Sequence, residues 1–496
     1  MRYYSQNQTE LLNGLKDTLQ ELNKDNRWVR LADALPWASI EIEYNKRLRN
    51  EHAGAKNKPA RMVVGAMIVK HMMNLSDEET VLIIQENPYM QYLLGLTEYR
   101  TAPVFTPELL TVARKRLGED FFNEVTLMLR QREGCVMRED CKRNSGGYTD
   151  EDGERHEGVM KVDATCTEAE MKFPTDIGLL EDGSREVDRL TKKISARLGM
   201  REPITRRGQS RSVFVCYTKR KHKGSKLVRQ TKQCLTHYLR SDIETLMDIL
   251  AKVPSDRLTS ILKTRDIRNL EATLEMLAQQ EEMLSLGARS CHDRIVSIFQ
   301  PHVRPIVRGK AKAKTEFGAK AGISVVNGYT FLDNISWDAY NESADMFVHI
   351  ENYKKRFGVY PAEVQADKIY LNKENRSLLK KMHIQCHCAP LGRPPKAPDP
   401  EKIALQRKAS GERNEVEASF GTAKRRYGAD NIRAKLPDTA RSWVASCFLA
   451  KNLKKFLRGI LFRLFRFFEL AAVKNGIFPL NPIIACEYCN LVRLYA

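Results

Sequence analysis

The sequence has no long uninterrupted apolar run. Its most apolar stretch, residues 456–472, carries four charged side chains, which are Arg458, Arg463, Arg466 and Glu469. A membrane-spanning helix needs about 20 predominantly apolar residues, so we expect no membrane span. The first residues, 1–11, are polar and have no apolar segment of the kind found in secretory signals. We therefore expect a cytoplasmic protein.

Closely spaced cysteine pairs are also scarce. The chain has 11 cysteines, an odd number, and most are widely separated. Cys386 and Cys388, flanked by His383 and His387, suggest a zinc site, as does the pair at 486 and 489, but neither has a second pair at zinc-finger spacing. Reduced thiols in a cytosol are the favoured interpretation.

Basic residues, in contrast, are abundant. The chain of 496 residues has 82 Lys and Arg against 62 Asp and Glu, a formal net charge of +20. A surface of this charge attracts polyanions and releases their counterions on binding. Nucleic acid fits best, although a merely basic protein such as a ribosome-associated factor has the same balance. The length predicts two or three folded units.

The N-terminal part reads as helical. Ser76 followed by Glu79 predicts a capping box at a helix start, and another helix follows Pro107. We predict a helical N-terminal DNA-binding domain over 1–133 and a polar, Gly-containing linker over 134–158. Short helices joined by tight turns suit a helix-turn-helix-like module, and a plain helical bundle fits them equally well.

Strand patterns begin at residue 159 and return after a helical block. A strand over 159–166 has Asp163 in its middle, and Asn327-Gly328 predicts a hairpin between two further strands. A strand ending at Asp367, a helix, a strand over 384–389 and a helix carrying Glu417 follow. We read this α+β order as an RNase H-like mixed-sheet catalytic domain over 159–440, with a helical insertion at about 175–310 and a C-terminal helical region over 441–496.

Three acids take informative positions in that order. In an RNase H-like sheet the first and fourth strands are neighbours and the last helix crosses them, so Asp163, Asp367 and Glu417 would converge. Convergent carboxylates suit Mg²⁺, with Mn²⁺ expected to substitute, and two such ions can activate an attacking oxygen and stabilise the leaving one. Arg413 and Lys424 share a helix face with Glu417 and could contact phosphates. The alternative is a set of ordinary salt bridges at helical spacing.

Two strongly basic segments, 219–232 and 304–320, accompany this arrangement. Either could be a solvated face. Because both occur around the candidate metal site, we interpret them as surfaces that line DNA.

At this point the sequence resembles the bacterial insertion-sequence DDE transposases of the insertion-sequence 4/5 superfamily. The matching segments are VDAT at 162–165, ADKIY at 366–370, PLGRPP at 390–395, RNEVEASFGTAKRRYG at 413–428 and the N-terminal NPYMQYLLGL at 87–96. The resemblance implies an RNase H-like domain, Mg²⁺ dependence and recognition of terminal inverted repeats. It also implies that Asp163, Asp367 and Glu417 form the acidic triad, with Arg413 and Lys424 on phosphates. Ser410 stands where the superfamily often has Tyr.

The expected function is therefore a DNA transposase that cleaves double-stranded DNA at its element's terminal repeats and joins the freed 3′-hydroxyl to target DNA. Aligning two ends implies a homodimer on DNA, and the expected setting is the bacterial nucleoid in the cytoplasm. The alternatives are a non-catalytic DNA-binding relative and a metal-dependent nuclease without strand transfer.

Overall fold

The structure is a computed structural model that describes residues 19, 22–48, 57–135, 147–307, 315–388 and 399–474, with side chains of the last segment described to residue 460. The motif at 390–395, the cysteines at 486 and 489 and part of the basic segment 304–320 lie outside the described residues. No described helix is long and apolar enough to cross a bilayer.

The described N-terminal residues form seven helices. These are α1 Arg27–Ala34, α2 Trp37–Asn45, α3 Ala60–Met73, α4 Asp77–Glu86, α5 Pro88–Leu93, α6 Glu108–Arg116 and α7 Glu119–Cys135. The predicted capping box at the start of α4 is confirmed, because Ser76 and Glu79 each accept a hydrogen bond from the other's backbone N–H. These reciprocal bonds satisfy two of the N–H groups that a helix start leaves unpaired.

A mixed five-stranded sheet is built from strands that lie between residues 159 and 366. Its strands are β3 Val159–Glu168, β4 Arg304–Val307, β5 Thr315–Val326, β6 Tyr329–Ser336 and β7 Glu363–Ala366. Strand β3 is central, pairing antiparallel with β5 and parallel with β7. Both β4 and β6 pair with β5 along its other edge. The predicted hairpin turn is present, with Asn327 at φ 50° and Gly328 at φ 77°, angles that a two-residue type I′ turn requires.

Three details of the sheet differ from the sequence-based expectation. Strand β4 is an additional strand, and the segment predicted to be a linker contains a small antiparallel hairpin, β1 Tyr148–Thr149 and β2 Arg155–His156. Asp150 makes that turn, since its side chain accepts hydrogen bonds from the backbone N–H groups of Asp152 and Glu154. Of the expected strand at 384–389, the described residues 384–388 form one parallel bridge, between Glu363 and Gln385.

Four helices follow β6 in the described part of the chain. They are α13 Met346–Phe357, α14 Lys373–Lys381, α15 Pro400–Tyr427 and α16 Pro437–Lys474. A short 3₁₀ turn, Glu342–Asp345, precedes α13. Gly411 lies inside the continuous helix α15. A single glycine costs a helix only about 1 kcal/mol relative to Ala, which 28 residues of helix can absorb.

A block of five helices lies between β3 and β4, within the stretch of about 175–310 that we read as a helical insertion. Its helices are α8 Asp176–Leu198, α9 Arg207–Lys219, α10 Ser225–Ala251, α11 Ser255–Ile261 and α12 Thr264–Leu286. Gly183 on α8 permits close packing, because a Cβ there would lie 3.0 Å from Met276 and 3.2 Å from Leu239. One apolar stripe of α10 packs inside the insertion, with Ile243, Leu246 and Ile249 buried.

The described residues form two hydrophobic clusters. One is continuous from the N-terminal helices through the sheet to α16, and the second belongs to the insertion. Helix α16 joins the parts of the first cluster: Asn452 bonds Thr126 on α7 at 3.2 Å and the carbonyl of Thr330 on β6 at 2.7 Å. The N-terminal helices thus share one core with the sheet, while the insertion has its own.

Candidate active site

The position of the candidate site depends on the alternation of side chains along β3. Lys161 and Asp163 are two residues apart and therefore point to the same face of the sheet. The parallel register pairs Val162 with Ala366, so Asp163 and Asp367 follow as the next position on neighbouring strands. Neighbouring strands lie about 4.8 Å apart. The register thus places these two acids side by side at the carboxyl ends of their pairing.

Helix α15 crosses that same face and is held there by polar contacts. Lys161 donates to Glu415 at 2.7 Å, and Gln365 donates to Glu412 at 2.8 Å. Val416, directly after Glu415, is fully buried in the core. These contacts fix the rotation of α15 and direct its next polar residues toward Asp163.

Arg413 makes the contact that joins two of the predicted residues. Its guanidinium donates to Asp163 at 3.3 Å and to Glu417, one turn later, at 3.1 Å. The Arg413 side chain is 20% exposed, that of Asp163 is 16% exposed and that of Glu417 is 57% exposed. The site therefore opens toward solvent on the Glu417 side and is closed at Asp163. Lys424 is half-buried two turns further along α15.

The charge state of Asp163 reflects this enclosure. The pKa of its carboxyl is raised to about 6, chiefly by burial; the N–H of Ala164 and the guanidinium of Arg413 oppose the rise, and the carboxylates of Glu342 and Asp367 add to it. A carboxyl group with a raised pKa is one whose anion lacks sufficient compensating charge. An additional cation beside Asp163 would supply that charge.

The predicted acids do not yet form a closed ligand set. Among the described residues, the ligand atoms that all lie within 4.8 Å of one another belong to Asp150, Asp152 and His383, and the three predicted acids form no such group. Arg413 bonds both Asp163 and Glu417 and so occupies the space between them. The donor set is nevertheless all carboxylate oxygen, the type that Mg²⁺ prefers.

Two features of the region are not foreseen by the sequence analysis. Glu342, on the 3₁₀ turn before α13, is close enough to Asp163 to raise the pKa of its carboxyl, and it pairs with Lys320 at 2.9 Å. No motif surrounds Glu342, so the sequence gives no sign of it. The Asp150, Asp152 and His383 group joins the β1–β2 turn to the end of α14 and depends on tertiary contact.

Two family models match the chain, one on each side of the insertion. The family described as a transposase DDE domain matches residues 364–454, which include Asp367, Arg413, Glu417 and Lys424. The family described as a transposase domain (DUF772) matches residues 16–116, which include helices α1 to α6. Asp163 lies outside both matches.

One curated relative is informative about this chain. An uncharacterized protein, ORF8 of the nfe locus of Rhizobium meliloti, is 32% identical to this chain over 104 residues. The aligned residues make up 21% of this chain and 49% of the relative. The chain thus spans about half the length of that relative. No solved structure matches the chain.

Proposed function

We propose that this chain, a DDE transposase by its matched DDE domain and N-terminal transposase domain, binds the terminal inverted repeats of its element and catalyses DNA cleavage and strand transfer. The assignment to the insertion-sequence 4/5 superfamily and the RNase H-like description of the sheet belong to the same proposal. The strand order supports the latter, because the central β3 has β5 and then β6 on one side and the parallel β7 on the other.

One observation carries the proposal. Asp163 and Asp367 occupy adjacent positions on paired parallel strands, and α15 brings Arg413 and Glu417 onto the same face. Widely separated parts of the sequence thus supply acids to one edge of the sheet. A structural salt bridge alone would not need Asp367 beside a buried Asp163.

The site residues fit a divalent metal by their chemistry. Asp163, Asp367 and Glu417 offer only carboxylate oxygens, and burial, with the nearby carboxylates of Glu342 and Asp367, raises the pKa of Asp163, so a bound cation would stabilise its anion. These three residues would hold Mg²⁺, or Mn²⁺ in its place. Such ions, when bound, neutralise charge on a scissile phosphate and its leaving oxygen. Arg413 would then exchange its carboxylate partners for a phosphate.

The remaining assignments follow from position. Arg413 contacts the site acids and Lys424 follows Glu417 by seven residues on the same helix; both would orient the DNA backbone through charge-assisted hydrogen bonds. Helices α1 to α6 would bind the element ends. Two ends must be aligned for joining, so we propose a homodimer on DNA.

The test is cleavage and joining of a labelled duplex that carries a terminal repeat, with Mg²⁺ present. Asp163→Asn and Glu417→Gln should each lower cleavage by about 10²–10³-fold, as the loss of an electrostatic stabiliser does, while leaving repeat binding nearly unchanged. Asp338→Asn removes an exposed carboxylate after β6 and is the matched control. Circular dichroism verifies folding, and Glu417 is exposed enough for its variant to fold normally.

The outcomes separate the candidate functions. If wild-type protein binds the repeat without nicking it, the chain is a non-catalytic DNA-binding relative. Nicking without joining identifies a metal-dependent nuclease. Normal cleavage by both Asp163→Asn and Glu417→Gln would eliminate the proposed site.

A further inference from the structure

The helical insertion contains a long segment without acidic residues. Residues 203–241 include no Asp or Glu, and they form α9, the turn after it and the first part of α10. Six exposed cations cluster around that turn, and we call them the basic tip: Lys219, Arg220, Lys221, Lys223, Lys226 and Arg229. None of the six makes an ion pair with another described residue. Their charges are therefore available to an external anion.

Several other cations of the insertion have carboxylate partners. Arg189 and Lys193 on α8 each contact Asp266 at 2.6 Å. Arg207, at the start of α9, pairs with Glu181 at 2.7 Å. Where the insertion needs cations for its own packing, it supplies acids beside them. Around the tip no acid is supplied, and the contact of Lys223 with the Tyr217 ring, 5.0 Å from its centroid, leaves the charge of Lys223 without a carboxylate.

The apolar residues next to the tip are directed inward. Val213, Phe214 and Tyr217 on α9 are partly buried and pack against the insertion core. The tip therefore presents charge without an exposed apolar face. Membrane-surface helices combine both, so a lipid surface is disfavoured as the partner.

We propose that the basic tip binds double-stranded DNA through its phosphates, as a contact separate from the acidic site. The inference rests on the proposed function, which makes duplex DNA the substrate. Duplex DNA carries about one negative charge per 1.7 Å of its axis, which suits six cations within eleven residues of sequence. Lysine and arginine contacts to phosphate position a duplex and do not read its bases. The tip would therefore hold DNA of any sequence.

The experiment measures binding alone, without metal, so its result does not depend on catalysis. A fluorescent 30-base-pair duplex is titrated by anisotropy in EDTA at several NaCl concentrations. The variant is Lys219→Gln, Lys221→Gln and Lys223→Gln combined. The matched control is Lys252→Gln, Arg257→Gln and Arg265→Gln, three exposed cations beyond the other end of α10. At about 1.5 Å per residue, the 27 residues of α10 separate these two sets by about 40 Å.

The tip variant should weaken binding at least about tenfold at 0.1 M salt. The slope of log K against log [NaCl] should fall by about 0.9 for each lost phosphate contact. The control should match wild type in both readouts, and a scrambled duplex should give the same result. Far-UV circular dichroism verifies that both variants fold.

Three results would overturn the inference. The tip variant could bind the duplex as wild type does, the control could weaken binding equally, or a single-stranded RNA of equal length could compete more strongly than the duplex. A failure here leaves the cleavage test of Asp163 and Glu417 unaffected. Loss of the acidic-site assignment likewise leaves duplex binding by the tip intact.

Discussion

The sheet with its N-terminal helices and the helical insertion are stabilised in different ways. The first region has one apolar cluster that continues from α1 to α16, whereas the insertion closes a separate, smaller cluster among α8, α10 and α12. The insertion adds polar networks at its buried positions, such as Asp266, which is 1% exposed and contacts both Arg189 and Lys193. The comparison suggests two folding units, one carrying the candidate acids and the other carrying free cations.

The largest expected effect tests whether the two clusters are separate. Leu453 on α16 and Leu239 on α10 are each fully buried, one in each cluster. Replacing either by Ala should cost about 2–5 kcal/mol. Leu453→Ala should speed amide hydrogen exchange in both α3 and β5, and Leu239→Ala should speed it in α8 while leaving α3 and β5 protected. Hydrogen exchange read by mass spectrometry checks both.

This pair of variants is its own control, because the chemical change is identical. Equal loss of protection in α3, β5 and α8 from Leu239→Ala would mean that the molecule unfolds as one unit. The two hydrophobic clusters would then not be independent units of stability.

A smaller effect on the free energy of unfolding is expected at acidic pH. His71 on α3 is fully buried beside Trp443 and Cys447 of α16, and burial, with Lys70 and Arg114, lowers its pKa to about 3. The unfolded chain binds a proton below about 6.5, so stability present above that pH is lost as pH falls from 6.5 toward 3. The loss is about 1.4 kcal/mol per pH unit. From pH 6.5 to pH 5 this loss of stability amounts to about 2 kcal/mol. The variant His71→Gln should not show it.

Urea unfolding at pH 7 and pH 5 measures this difference. The insertion provides the control, since His237 on α10 is exposed and His237→Gln should leave the pH dependence as it is. An unchanged loss of stability in His71→Gln would show that other groups drive acid unfolding of the first region.

The elements that the sequence predicts well are those set by residues close together in the chain. The Ser76–Glu79 box, the Asn327-Gly328 turn and the strand alternation around Asp163 each depend on residues near one another in the chain. They predict α4, the β5–β6 hairpin and β3 with small errors in length. The short parallel segment at Gln385 is less predictable, because its pairing with Glu363 depends on the neighbouring β7.

In the candidate site, too, some features follow from the sequence pattern and others depend on tertiary contacts. The placement of Asp163 beside Asp367 follows from strand order, which the sequence pattern contains. The bridging position of Arg413 between Asp163 and Glu417 does not, because helical spacing alone places Arg413 near Glu417 and says nothing about what lies across the interface. Glu342 reaches the site from a 3₁₀ turn with no sequence signature. The bridging position of Arg413 and the approach of Glu342 to the site both depend on tertiary packing.

The smallest expected effect concerns how α15 is attached to the sheet. Lys161 and Glu415 are 2.7 Å apart, with side chains 16% and 40% exposed. A double-mutant cycle of Lys161→Ala and Glu415→Ala should give a coupling of about 0.5–1 kcal/mol, reduced in 1 M NaCl. The insertion pair Arg240–Glu281 has side chains 56% and 28% exposed and should couple more weakly, because its cation is more exposed to solvent. The reverse order would mean that solvent exposure does not set the strength of these pairs, and α15 would then be held over Asp163 by the packing of Val416 rather than by charge.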